Sequence, residues 1–161
     1  MCLVYRDGDS LVFEAPDVER ALAYLSLKSL AEHIEDVNGR LRVVPYVEGI
    51  EDSLRSLCSS MPSDLKLDLL EALLGEGWVS DMDLSAIRKS VPLGGRVAIF
   101  ECNCGDRTLR LFSTAVCPDK LERMGFKVNR LKAGVEAERR VKTIVDALMI
   151  SDLAVQELKT C

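Results

Sequence analysis

The chain has 161 residues, 48% hydrophobic and 29% charged, with a formal net charge of -5. That length suits a domain of the common ~100–150-residue size and the composition supports a packed core, which excludes a disordered chain. No segment approaches the ~20 consecutive apolar residues of a membrane helix, and an acidic chain is a poor non-specific ligand for nucleic acid.

Residues 3–13 read as a β-hairpin, because Leu3 to Tyr5 and Leu11 to Phe13 are apolar, β-prone runs flanking Asp7-Gly8, a pair suited to positive φ. Pro16 and Asp17 then open a helix that the apolar spacing extends to about Val37. Proline is tolerated in a first turn, Asp17 and Glu19 favour the positive helix end, and Gly39 follows the other end. Leu22, Leu25, Leu30, Ile34 and Val37 make its buried stripe, and His33, the single histidine, sits at the rim of that stripe as a boundary imidazole.

"RLRVVPYV" (40–47) is a strand whose Pro45 has no N–H for a ladder bond, so it lies at a sheet edge or ends there. "GIEDSLRSLCSSM" has helical spacing at 50, 54, 57, 58 and 61, with Cys58 on the apolar face. "PSDLKLDLLEALLGEG" is a Leu-rich helix entered at Pro62-Ser63 and stopped near Gly75. "SDMDLSAIRKSVPLGG" predicts another helix, with Ser80 and Asp83 as a capping box and Leu84, Ile87 and Val91 facing inward.

A second hairpin follows at 96–116. With Gly105-Asp106 at the centre of a type II′ turn, Cys102 faces Leu109, Glu101 faces Arg110, Phe100 faces Leu111 and Ile99 faces Phe112. Two features support that register: Glu101 and Arg110 meet as opposite charges, and Phe100, Cys102, Leu109 and Leu111 share one apolar face. A short helix at "PDKLERM", a stop at Gly125 and a strand "FKVNRL" lead to a long C-terminal helix over about Val135 to Leu158. Its apolar arc is wider than one flat surface requires, which implies deep burial or a shared interface with a second chain.

The two ends echo each other. Hairpin, "APDVER", strand and helix are matched by hairpin, "CPDKLER", strand and helix, a weak ββαβα duplication. The fold class is therefore α+β, antiparallel hairpins packed with several helices, in a single domain over 1–161 whose halves, 1–61 and 95–161, are joined by helices within 62–91.

Six cysteines are present, and the simplest role for Cys102 is a buried thiol, since free cysteine behaves as a small hydrophobe. A metal alternative would use Cys102, Cys104 and Cys117. However, C-x-C is not the usual C-x-x-C knuckle and no second close pair exists. Cys2 and Cys161, at the chain ends, are disulfide candidates. "MCLVYRDGDS" has no basic region followed by an apolar one, so a cytoplasmic location is expected. Yet Gln occurs once and Asn three times among many charged residues, a bias that resembles heat-adapted proteins, whose intracellular members do contain disulfides.

Neither phosphate-loop frame occurs, "SDMD" is too short for a calcium loop, and no nucleophile signature accompanies His33. No cofactor is implied, and catalytic residues are not identifiable. Charge is distributed unevenly: residues 1–94 carry 9 Lys+Arg against 17 Asp+Glu, a balance of -8, and residues 95–161 carry 12 against 9, a balance of +3. In the basic half, Arg110, Lys127, Arg130, Lys132, Arg139 and Arg140 form a candidate nucleic-acid surface if they converge. The opposing reading is a solvated face with local pairs Glu136–Arg140 and Glu138–Lys142, lacking exposed aromatics for base stacking. The leading expectation is a small interaction or regulatory module, self-associating or bound to a protein partner, without membrane contact. Nucleic-acid association is second, and a ligand binder or enzyme third.

Overall fold

A computed structural model describes residues 1–161. The fold is α+β, with five helices and two antiparallel sheets, and none of the helices is long and apolar enough to cross a membrane. The chain divides into two compact units, Met1–Leu73 and Leu74–Cys161.

The first unit contains β1 (Leu3–Asp7), β2 (Ser10–Glu14), α1 (Asp17–Leu27), β3 (Ala31–Val37), β4 (Arg40–Pro45), α2 (Ile50–Ser59) and α3 (Pro62–Gly75), whose last turn crosses the boundary. Its sheet runs β1-β2-β4-β3. The first hairpin turns through Gly8-Asp9, with Gly8 at φ 67 and Asp7 opposite Ser10, as a type II′ turn requires. Val4, Phe13 and Leu41 are buried together on one cross-strand row.

The helix expected from Pro16 to Val37 stops at Leu27, and residues 31–37 form edge strand β3 instead. The cause is Asn38-Gly39. Both residues have positive φ, 53 and 77, and Val37 lies directly opposite Arg40, so the pair is a two-residue hairpin turn of type I′ geometry that no helix can contain. The consequence is long-range: buried Arg20 on α1 donates from Nε to Asp36 Oδ1 on β3 at 2.9 Å and from Nη1 to the Ala15 carbonyl at 2.7 Å. Pro45 ends β4, where its missing N–H costs no ladder bond.

The second unit contains β5 (Trp78–Ser80), β6 (Ala86–Pro92), β7 (Val97–Asn103), β8 (Thr108–Ser113), α4 (Pro118–Arg123), β9 (Lys127–Arg130), β10 (Val135–Arg140) and α5 (Ile144–Lys159), with sheet order β5-β6-β7-β8-β10-β9. Of the helices expected within 62–91, only α3 forms; 86–92 is a strand. Ser80 caps nothing. Instead, Asp81 and Asp83 accept from the Ser85 N–H at 2.8 and 3.1 Å, and Leu84 adopts φ 61, which closes a turn between β5 and β6 and is incompatible with a helix.

The C-terminal helix is also shorter than expected. Residues 135–140 alternate buried Val135 and Ala137 with exposed Glu136 and Glu138 as strand β10, and α5 starts after Thr143, whose hydroxyl accepts from the Asp146 N–H at 3.0 Å. Most of the apolar arc of α5 is absorbed within the chain, where Val145, Leu148, Ile150, Ala154 and Leu158 are buried, while Leu153 is exposed. Gly134 marks a close approach before β10: a Cβ there would collide with the Ser113 carbonyl.

The echo between the chain ends is topological, and its order is ββαββα rather than ββαβα. Elements β1-β2-α1-β3-β4-α2 correspond to β7-β8-α4-β9-β10-α5, and the sheet orders β1-β2-β4-β3 and β7-β8-β10-β9 match strand for strand, all antiparallel. Pro16-Asp17 and Pro118-Asp119 open the first helix of each set. The β5–β6 hairpin extends the second sheet beyond the shared pattern.

Candidate functional site

The hairpin at 96–116 forms with the expected register: Cys102 faces Leu109, Glu101 faces Arg110, Phe100 faces Leu111 and Ile99 faces Phe112. Its turn differs. Gly105 has no positive φ; the left-handed residue is Arg107 (φ 55), and Asn103 Oδ1 accepts from the Gly105 and Asp106 N–H groups at 3.1 and 3.3 Å. The Asn103 side chain thus supplies the turn's acceptor, as in an Asx turn.

Strand alternation gives this sheet two unlike faces. One buries Ile87, Phe100, Cys102, Leu109, Leu111 and Ala137, on the side where α5 packs against β7 and α4 against β9 and α5. The other is open. Across it, the pairings Arg88 with Glu101, Glu101 with Arg110, Arg110 with Glu138, and Glu138 with Lys127 line up five residues from β6, β7, β8, β10 and β9 in one row of alternating sign. Directly opposed cross-strand neighbours lie ~4.5–5.5 Å apart at Cβ, so each charge has an opposite charge beside it.

The ion pairs partition this row in a way the hairpin alone does not reveal. Glu101 accepts from Arg88 Nε at 3.1 Å, while Arg110 lies 3.4 Å from Glu138. The side chains of Arg88, Arg110 and Glu138 are 66%, 63% and 57% exposed, so the pairs are solvated and individually weak. Beside the charged row runs a second one, Ser90, Ile99, Phe112, Glu136 and Asn129, in which Ile99 and Phe112 are half-buried. A concavity of ≈ 620 Å³ lies over this region, lined by Ile99, Arg110, Phe112, Lys127 and Glu138 among others.

The six basic candidates do not gather on one surface. Arg110, Lys127, Arg139 and Arg140 all border the concavity, but Glu138 separates Arg110 from Lys127 in the row. The guanidinium of Arg139 is turned away from the open row, donating to the Met124 carbonyl with its carbon 5.9 Å from the Phe126 ring centroid. Arg130 lies opposite buried Val135 at the sheet edge, and Lys132 is in the turn between β9 and β10. The helical pairs expected for Glu136 and Glu138 do not form, because both residues are in a strand and Glu138 pairs with Arg110.

The cysteines divide differently from the metal alternative. Cys102 is 1% exposed in the core, and Cys104 is half-buried at the turn, its N–H donating to the Ser85 carbonyl at 2.9 Å. Cys117 is covalently bound to Cys161 and Cys2 to Cys58. Cys117 is therefore not a thiolate ligand for a site with Cys102 and Cys104, and no three His, Cys, Asp or Glu side chains converge as a metal site. Cys58, read as a packed thiol on an apolar face, instead tethers α2 to the segment before β1. His33 is on the exposed edge strand β3, 3.7 Å from Glu35.

Arg88, Ile99, Phe112, Glu136 and Glu138 are the site residues that sequence reasoning missed. Alternation in "AIRKSVP" and "VEAERR" carried the available signal. No family model matches the sequence, and no curated protein or solved structure matches the chain.

Proposed function

We propose that this protein is an interaction module whose docking surface is the open face of the six-stranded sheet in residues 74–161. The observation that carries the reading is the row Arg88, Glu101, Arg110, Glu138, Lys127 beside half-buried Ile99 and Phe112. Such a face combines an apolar centre with a charged surround, the anatomy of a protein interface. Pairing Arg88 with Glu101 and Arg110 with Glu138 also limits the desolvation cost of covering them, and Lys127, on edge strand β9, can keep its ammonium in solvent.

Phosphate binding is less well supported at this face. A nucleic-acid backbone laid across Arg110 and Lys127 would meet Glu101, Glu136 and Glu138, and repulsion there opposes the counterion-release gain. A cytoplasmic site of action is consistent with two disulfides if the cell is a hot one, in line with the scarcity of Gln and Asn.

The test is site-specific photo-crosslinking in an extract of the source organism, with a benzophenone side chain at position 112 and, as a control, at exposed position 153 on α5. Protein adducts concentrated at 112 are expected. Adducts equally abundant at 153, or a nucleic-acid adduct dominating at 112, would overturn the reading.

A further inference from the structure

We infer that the occupant of this face is a second copy of the same chain, stacked sheet on sheet about a two-fold axis that runs parallel to the strands between β7 and β8. This rests on the docking reading above and adds the partner's identity and orientation. The argument is one of parity. A two-fold axis along the strands and between two of them reverses strand order but keeps each cross-strand row facing itself, so the four alternating charges of β6, β7, β8 and β10 each meet one of opposite sign.

The six strands place the axis between β7 and β8, at the middle of the sheet, where overlap is greatest. Glu101 then stacks on Arg110 of the second copy, Arg88 on Glu138, and Val79, which is opposite Arg88 in β5, on Lys127. In the neighbouring row the same operation puts Ile99 on Phe112 and Phe112 on Ile99 of the second copy. Apolar therefore meets apolar in one row while charges alternate in the next. A two-fold axis perpendicular to the strands through the charged row instead sets Arg110 on Arg110 and Glu138 on Glu138, which like-charge repulsion disfavours, and one between the two rows sets Glu101 on Ile99 and Arg110 on Phe112, which leaves charges facing apolar groups. Stacked sheets cross at about 30°, so the central contacts of Ile99, Glu101, Arg110 and Phe112 are expected to dominate.

Edge-to-edge association fits less well. The exposed edges of this sheet are β5, with three residues, and β9, with the sequence Lys-Val-Asn-Arg, and short or charged edges resist pairing. Six strands at ~4.8 Å spacing, crossed by about six residues, give a projected patch of roughly 500 Å², suited to association at micromolar rather than nanomolar concentration.

The test is light scattering coupled to size exclusion on the full chain from about 5 to 500 µM, with far-UV circular dichroism confirming that each variant is folded. The wild type should rise toward twice 17.8 kDa. Arg110→Glu should weaken association at least tenfold, and Phe112→Ser should do the same if the charge variant misfolds. Inverting the whole row (R88E, E101R, R110E, E138R, K127E) should restore self-association, because alternation survives. Yet mixing the inverted and wild-type proteins should give no mixed dimer, because the charged pairs facing across β6, β7, β8 and β10 are then all of like sign. A monomer throughout the range, or free mixing of the two forms, would overturn the second-copy inference. It would leave the docking reading to stand or fall on whether position 112 crosslinks to a different protein.

Discussion

Replacing Arg20 by methionine keeps the aliphatic stem of the side chain and removes a guanidinium that the fold has nearly enclosed. The side chains of Arg20 and Asp36 are only 4% and 7% exposed, and Nε lies 2.9 Å from Oδ1. Two unit charges at that distance attract by about 6 kcal/mol at an effective dielectric of 20, a ceiling that the desolvation of both ions reduces. The cost of breaking the pair is larger than its net worth, because the Asp36 carboxylate stays enclosed after losing the guanidinium it faces: removing one partner of a buried pair typically costs ~3–5 kcal/mol. Loss of the donor to the Ala15 carbonyl adds about 1 kcal/mol. Against a total stability of ~5–15 kcal/mol, R20M should therefore lose roughly 5 kcal/mol. Guanidinium chloride unfolding followed by circular dichroism, under non-reducing conditions, measures it as a lower midpoint at unchanged slope. Adding Asp36→Leu should recover part of the loss, since two apolar groups can replace a buried pair at little cost. An R20M variant within about 1 kcal/mol of wild type would refute the enclosed pair, and with it the pairing of α1 with β3.

The disulfides Cys2–Cys58 and Cys117–Cys161 close segments with sequence separations of 56 and 44, and the chain-entropy model gives each about 4 kcal/mol. Unfolding with and without a phosphine reductant should differ accordingly. Thiol titration of the denatured, unreduced protein should find two reactive cysteines, Cys102 and Cys104; finding six would contradict both bonds. The Ser85 hydroxyl holds the pKa of Asp81 below its ordinary 3.8, with desolvation opposing and smaller help from Asp83 and the Ser85 and Ala86 N–H groups. Because the folded value is depressed, this loop's contribution to stability is present above the unfolded pKa and lost as pH falls through the folded one. Ser85→Ala should raise the Asp81 midpoint in a carboxyl-carbon NMR titration, whereas superposable curves would rule out the turn geometry of residues 81–85.

The 96–116 hairpin was legible because two independent constraints, the Glu101–Arg110 charges and the Phe100/Cys102/Leu109/Leu111 face, agree on one register. The strand at 31–37 was not, since Leu30, Ile34 and Val37 also fit a helical period. Asn38-Gly39, the strongest short-range hairpin signal, decides between the two. At 135–140 the i, i+4 spacing of Glu136 and Arg140 mimicked a helix, although Val135 and Ala137 alternate with the acids as a strand requires. The charged row as a whole lay beyond local pattern. It is assembled from residues between 88 and 138 by strands whose spatial order, β6-β7-β8-β10-β9, is not their chain order. Three of its four pairings, Arg88–Glu101, Glu101–Arg110 and Lys127–Glu138, join consecutive strands, but only the β7–β8 hairpin carries two agreeing register signals, and Arg110–Glu138 requires β10 to lie between β8 and β9.

Carboxylate footprinting read by mass spectrometry tests the central claim most directly, because it asks whether the open sheet face becomes covered. Glu101, Glu136 and Glu138 should lose reactivity together as the protein is concentrated, while exposed Glu157 on α5 keeps its own. Uniform labelling of all four residues at every concentration and in every extract would contradict the assignment of this face as the contact surface.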